Sequence, residues 1–77
     1  MNVREQVLAI LKEVKPTKDL EGINNLIEGG YIDSFELMSL VANLTDIFNI
    51  DITIDELIPE NFNSVDAIVA MVEKLKG

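Results

Sequence analysis

The sequence contains neither cysteine nor histidine in its 77 residues. No disulfide can therefore form, and the common zinc, haem and iron–sulfur sites are excluded because they take their ligands from these two residues. A chain this short buries only a little over ~60% of the surface of its unfolded state. The fold must therefore be held by the packing of apolar side chains, and we expect a single domain spanning residues 1–77.

Apolar periodicity predicts three longer helices. The first covers residues 2–15, with Asn2 as its cap and Pro16 as its end. The second covers residues 34–49, and the third runs from Ser64 to Leu75 with Asn63 or Ser64 as its cap. The predicted core stripe of the second helix consists of Leu37, Leu40, Val41, Leu44, Ile47 and Phe48. That of the third helix consists of Val65, Ile68, Val69, Val72 and Leu75.

Two connections join these helices. The first, of about seventeen residues, is long for a small domain and carries apolar side chains that can anchor it (Leu20, Ile23, Leu26 and Ile27). The second begins with alternating isoleucines at positions 50, 52 and 54, which we expect to be buried in an extended segment. Thr53 and Glu56 then predict a capping box for a short helix that Pro59 limits. The expected fold class is all-α, a small bundle of three longer helices and one short helix with a long first loop.

The chain is acidic, with a formal net charge of −8, and no basic residue lies between Asp19 and Glu73. This balance argues against binding to nucleic acid, and no apolar run approaches the ~20 residues of a membrane span. The first residues lack the pattern of a signal peptide, so a cytoplasmic location is expected. The acidic stretch has two interpretations: an ordinary solvated surface, or a face for basic partners.

Residues 30–36, Gly-Tyr-Ile-Asp-Ser-Phe-Glu, contain a candidate modification site. Asp33 is a good N-cap and Glu36 stands three residues later, so the pair predicts the start of a helix. Ser34 then occupies the first helical position, where the helix dipole favours an attached phosphate. Because serine is common at helix starts, these residues alone do not distinguish a modification site from an ordinary cap.

The other candidate sites are weaker. Asp51, Thr53 and Asp55 are spaced like the first ligands of an EF-hand loop. However, Glu56 stands where that loop needs glycine, and Phe62 stands where it needs a bidentate glutamate. We therefore expect no metal site, and no set of side chains indicates a catalytic centre.

Taken together, the acidic composition, the four helices, the long first loop and the Asp33-Ser34 pair resemble the acyl carrier protein family. The resemblance covers nearly the whole chain, including Leu26-Ile27, the apolar second helix and Phe48-Asn49-Ile50. In that family the matching serine carries a 4′-phosphopantetheine arm, which a phosphopantetheinyl transferase adds from coenzyme A and which holds acyl or aminoacyl groups as thioesters. The resemblance implies that Ser34 is the attachment point, that Asp33 is its family-typical neighbour, and that the chain is a carrier and not an enzyme.

The resemblance also implies a partner face on the second helix, where a second, less polar stripe lies beside acidic residues. The residues of this predicted face are Phe35, Glu36, Met38, Ala42 and Asp46. The implied partners are the transferase, an acyl- or aminoacyl-loading ligase, and downstream transferases or synthases with basic docking surfaces. The carrier is expected to be a monomer.

Some residues depart from the pattern of fatty-acid carriers. Phe35 follows the serine where leucine is most frequent, and Ser39, Asn43 and Thr45 occupy positions where acidic residues are common. The Gly-Tyr-Ile stretch before Asp33 is nearer to carriers of D-alanine or of amino acids. These features favour a dedicated, stand-alone carrier. The alternative function is an acidic helical adaptor without a prosthetic group, whose partner binding would be unaffected by Ser34→Ala.

Overall fold

The computed structural model describes residues 2–76, which form four α-helices. These are α1 (Val3–Val14), α2 (Ser34–Phe48), α3 (Pro59–Phe62) and α4 (Val65–Lys76), and a 3-10 turn covers Ile54–Glu56. The described part of the chain contains no strand. None of its helices combines the length and the hydrophobicity that crossing a bilayer requires. The predicted all-α bundle of three longer helices and one short helix is confirmed.

The starts of α1 and α4 follow from local capping. The Asn2 side chain accepts a hydrogen bond from the backbone N–H of Glu5 at 2.8 Å, and the Ser64 hydroxyl oxygen accepts one from that of Ala67 at 3.0 Å. The two helices pack against each other, and each buries one apolar face. The buried side chains of the pair are Val7, Ile10, Leu11, Val65, Ile68, Met71 and Val72.

The second helix is less buried than its apolar pattern predicted. Only Leu40 and Leu44 of the six-residue stripe are buried, and Ile47 is 49% exposed. The reason is that α2 packs mainly against α1 and has only a small contact with α4. The buried side chains of α1 and α4 therefore outnumber those of α2.

The segment between α2 and α4 differs from prediction in three respects. Ile50 is buried as expected, but Ile54 is 83% exposed because the chain turns there instead of continuing as an extended segment. The Thr53 side chain makes no capping hydrogen bond, so the predicted capping box is wrong. Pro59 begins α3 and does not limit a preceding helix, since the first helical position tolerates a residue without an N–H group.

The long first loop is held by its apolar side chains, as predicted. Leu20, Leu26 and Ile32 are buried in the core, while Ile23 and Ile27 pack partly against it. Arg4 of α1 pairs with Asp66 of α4 and, at 3.6 Å, with the carboxylate of Glu21 in the first half of the loop. The hydrogen bond with Asp66, followed by the charge of both carboxylates, raises the pKa of the Arg4 guanidinium.

Candidate functional site

Ser34 is the first residue of α2, and its side chain is exposed. The preceding residue, Asp33, is the N-cap: its carboxylate accepts a hydrogen bond from the backbone N–H of Glu36 at 2.8 Å. In return, the Glu36 carboxylate accepts one from the backbone N–H of Asp33 at 3.1 Å. The predicted capping box is present, and it fixes the backbone on both sides of Ser34.

This geometry is compatible with a phosphodiester on Ser34. The backbone N–H groups of the first helical turn point along the helix axis, past its N-terminal end, and they have no intrahelical acceptor. The dipole of the fifteen-residue α2 adds positive potential at the same end. An anionic group attached to the exposed Ser34 oxygen would therefore lie at the positive end of the α2 dipole, beside the Asp33 carboxylate, and would displace no buried side chain.

The segment before Asp33 forms a closed turn. Ile32 donates its backbone N–H to the carbonyl oxygen of Leu26 at 3.0 Å, and both side chains are buried. Gly30 has a φ of +77°, a left-handed conformation that favours glycine. This turn directly precedes α2, and the two residues that follow it, Asp33 and Ser34, lie at the surface.

Asn63, at the junction of α3 and α4, ties this turn to the rest of the fold. Its side-chain oxygen accepts hydrogen bonds from the backbone N–H groups of Ile27 and Glu28 at 3.1 and 3.2 Å. Its side-chain NH₂ donates to the Glu28 carboxylate at 2.9 Å, and its carbonyl oxygen accepts from the Leu26 N–H at 2.9 Å. The sequence suggested only a helix cap for Asn63, because no local pattern indicates contacts with residues so distant in the chain.

We expect Asn63→Ala to reduce the free energy of unfolding by about 1–3 kcal/mol, because two backbone donors and one carboxylate lose their side-chain partner. Urea denaturation would measure this loss, and amide hydrogen exchange should accelerate at Ile27 and Glu28. Asn24→Ala is the matched control, since Asn24 is exposed in the same loop. Equal losses in the two variants would show that the Asn63 contacts do not hold the turn.

The predicted partner face is exposed at most of its positions. Phe35 is 82% exposed and Met38 59% exposed, and Ala42 and Asp46 are also exposed. Positions 35, 38 and 42 lie on one face of α2 because they are three and four residues apart. Glu36 differs: it is half-buried, and its carboxylate lies 3.3 Å from the Lys15 ammonium group.

A small apolar pocket of about 120 Å³ lies beside the first turns of α2. It is formed by Leu37 together with side chains of the first loop and of the α3 region, namely Ile27, Leu57, Ile58, Pro59 and Phe62. Its volume is well below the ~300–1,000 Å³ of pockets that enclose drug-sized ligands. The sequence did not indicate this pocket, because its walls come from three separate segments.

Comparison with known proteins identifies the family. Residues 3–72 match the family described as "Phosphopantetheine attachment site". The D-alanyl carrier protein of Staphylococcus saprophyticus is 31% identical over 78 residues, covering 99% of this chain and 100% of that protein. The D-alanyl carrier protein of Leuconostoc mesenteroides is 28% identical over 100% of both chains. That of Streptococcus uberis is 28% identical over 100% of this chain and 99% of its own.

The family match spans nearly all of the four-helix structure, from the start of α1 to the last helix. The relatives align over essentially the whole chain and are carriers by name. The resemblance found in the sequence is therefore confirmed, and a carrier is favoured over the adaptor without a prosthetic group. The chain belongs to the phosphopantetheine attachment family and is a carrier protein with a covalently attached 4′-phosphopantetheine.

Proposed function

We propose that this carrier holds D-alanine or a similarly small aminoacyl group as a thioester on an arm attached to Ser34. The observation that carries the attachment site is the exposed Ser34 hydroxyl, fixed at the start of α2 by the Asp33–Glu36 capping box. The other two serines, Ser39 and Ser64, are half-buried, and Ser64 caps α4. Ser34 is therefore the serine that a modifying enzyme reaches most easily.

In this proposal the chain positions its cargo and catalyses no reaction. When bound, phosphopantetheine supplies the thiol that carries the cargo, and the sequence has no cysteine to serve instead. Asp33 and Glu36 hold the backbone at the attachment point, while the positive end of α2 stabilises the phosphodiester charge. That residues 1–77 form one domain is part of this proposal. A monomeric state and a cytoplasmic location stay predictions.

Three observations support a small cargo. The similar proteins are D-alanyl carriers by name, and the Gly-Tyr-Ile stretch before Asp33 favours the same class. The apolar pocket beside α2 is also small, at about 120 Å³, and the larger pocket of about 530 Å³, between α1 and the first loop, is lined in part by charged side chains that do not suit a long acyl chain. A long chain would need the α2 and α3 segments to separate, at a cost in buried apolar contacts.

For partner enzymes, we propose docking on the exposed face of α2 formed by Phe35, Met38 and Ala42, with Asp46 as its acidic neighbour. The partners are a phosphopantetheinyl transferase, an aminoacyl-loading ligase and downstream transferases with basic surfaces. Exposed apolar side chains bordered by acidic residues suit such surfaces, because opposite charge accelerates encounter. Glu36 contributes less free charge than the sequence suggested, because its carboxylate is paired with Lys15.

Intact mass spectrometry tests this function. Incubation with coenzyme A and a broad-specificity phosphopantetheinyl transferase should add one arm, which peptide mapping should locate at Ser34. Incubation of this product with ATP, D-alanine and a D-alanine–carrier ligase should then add one D-alanyl group that hydroxylamine removes. Absence of the first gain, or its location at another residue, would overturn the attachment site. Loading by long-chain acyl groups in preference to D-alanine would overturn the cargo.

We expect Met38→Glu to lower kcat/KM for loading by the ligase about tenfold, equivalent to about 1.4 kcal/mol, because a charge replaces an apolar contact at the docking face. Stability should change little, since Met38 is exposed. Ala70→Glu adds the same charge at an exposed position of α4 and is the control. Equal kcat/KM values for Met38→Glu and the unaltered protein would exclude Met38 from the docking face.

A further inference from the structure

Lys15 lies at the end of α1 and reaches the start of α2. Its ammonium nitrogen is 3.3 Å from the Glu36 carboxylate, and both side chains are largely covered, with 28% and 22% of their surface exposed. The ion pairs of Arg4 are more open, since the Arg4 side chain is 42% exposed. Among the ion pairs of residues 2–76, the Lys15–Glu36 pair is therefore the least exposed to water.

A single oxygen of Glu36 connects Lys15 to the capping box. Oε1 of Glu36 accepts hydrogen bonds from both the Lys15 ammonium group and the backbone N–H of Asp33. The Asp33 carboxylate in turn accepts a hydrogen bond from the backbone N–H of Glu36, and Asp33 directly precedes Ser34. A chain of contacts thus leads from the end of α1, through Glu36 and Asp33, to the proposed attachment point.

The same region is held at a second point. The Lys18 ammonium group lies 5.5 Å from the centre of the Tyr31 ring, within the range of cation–π contacts. The start of the first loop therefore contacts the first turn of α2 at Glu36 and the end of the loop at Tyr31, three residues before Ser34. These two contacts hold the start of the long loop close to its end, next to the proposed modification site.

We propose that Lys15 is a positioning residue for the modification of Ser34. This inference rests on the proposed attachment of the arm at Ser34. Lys15 compensates the charge of the half-buried Glu36 carboxylate and keeps Oε1 directed at the Asp33 N–H. Without Lys15, the Glu36 carboxylate is better solvated when it turns towards water. The backbone N–H of Asp33 then loses its hydrogen-bond acceptor. The first turn of α2 then frays, and the conformation that the transferase recognises is less populated.

Steady-state kinetics of arm attachment test the proposal with Lys15→Met and its matched control, Lys12→Met. Both variants remove one positive charge from the last turns of α1, and Lys12 is exposed. A smaller population of the recognised conformation raises the apparent KM and leaves kcat at saturation unchanged. We expect about a fivefold rise in KM for Lys15→Met and a change of less than about twofold for Lys12→Met. Lys15→Arg should restore the KM, because its guanidinium also binds a carboxylate.

Amide hydrogen exchange gives a readout that does not depend on the transferase. Exchange at the Asp33 N–H should accelerate in Lys15→Met and stay unchanged in Lys12→Met. Adding Lys15→Met to Glu36→Gln should cause no further rise in KM, since the two residues act through one contact. Equal KM and exchange values for Lys15→Met and Lys12→Met, or additive effects in the double variant, would overturn the role of Lys15. Attachment at a residue other than Ser34 in the unaltered protein would instead overturn the proposed function.

Discussion

Replacing Ser34 with alanine should abolish attachment of the arm completely while leaving the fold intact. The change removes one exposed hydroxyl group that takes part in none of the hydrogen bonds found among residues 2–76. Asp33 and Glu36 keep their reciprocal bonds, and alanine is well suited to a helix. The free energy of unfolding should therefore change by less than about 0.5 kcal/mol. Intact mass after incubation with coenzyme A and the transferase measures attachment, and thermal unfolding measures the fold.

Ser39→Ala is the matched control, because Ser39 belongs to the same helix and is half-buried. This variant should gain the arm like the unaltered protein. A mass gain that survives Ser34→Ala would place the arm elsewhere. Loss of the gain in both variants would show that any change in α2 disturbs recognition, and the assignment to Ser34 would then lack support.

The start of α2 was predictable because the interaction that sets it is local. Asp33 and Glu36 are three residues apart, and this spacing alone allows each side chain to cap the backbone of the other. Once the helix begins there, Ser34 must occupy its first position. The same holds for Asn2 at the start of α1, where one side chain caps a nearby N–H group. The residue at which such a helix begins can therefore be predicted from three or four consecutive residues.

Burial was less predictable, because periodicity shows which residues share a face but not whether another element covers it. The alternation of isoleucines suggested that Ile54 is buried, yet it is 83% exposed where the chain turns. Ile47 belongs to the predicted apolar stripe of α2, yet it is 49% exposed. Conversely, Phe62 had no predicted place in the core and is the largest fully buried side chain among residues 2–76.

Long-range polar contacts were not predictable from local sequence at all. Lys15 meets Glu36 across the first loop, and Asn63 meets Ile27 and Glu28 from the opposite end of the chain. Each residue alone is an ordinary surface lysine or asparagine. The start of α2, which contains the proposed attachment point, is thus locally encoded, whereas the contacts that hold it in place depend on the packing of the helices.

Phe62 links that packing to the site. It belongs to the four-residue α3, which is too short to be stable by its own hydrogen bonds and packs against α4. Its side chain is 1% exposed and forms part of the pocket beside α2. The next residue, Asn63, holds the turn that leads to Ser34. Loss of the Phe62 ring should therefore loosen α3 and, through Asn63, the turn before the proposed attachment point.

We expect Phe62→Ala to reduce the free energy of unfolding by about 3–5 kcal/mol, the usual cost of removing a buried aromatic ring. Native domains are stable by only about 5–15 kcal/mol, so this loss is a large part of the total. In a domain of this size it corresponds to a fall in Tm of at least about 12 °C. Urea denaturation and thermal unfolding measure the two quantities.

Phe35→Ala makes the same chemical change at a position that is 82% exposed, so its stability should change by less than about 0.5 kcal/mol. Because Phe35 belongs to the proposed docking face, this variant should instead show a lower kcat/KM with the loading ligase at a temperature where both variants are folded. Similar losses of stability in Phe35→Ala and Phe62→Ala would mean that Phe35 packs in the core, and Phe35 would then be excluded from the docking face. A large loss of stability in Phe62→Ala only, together with a lower kcat/KM in Phe35→Ala, would show that the Phe62 ring stabilises the fold and that the Phe35 ring contacts the partner.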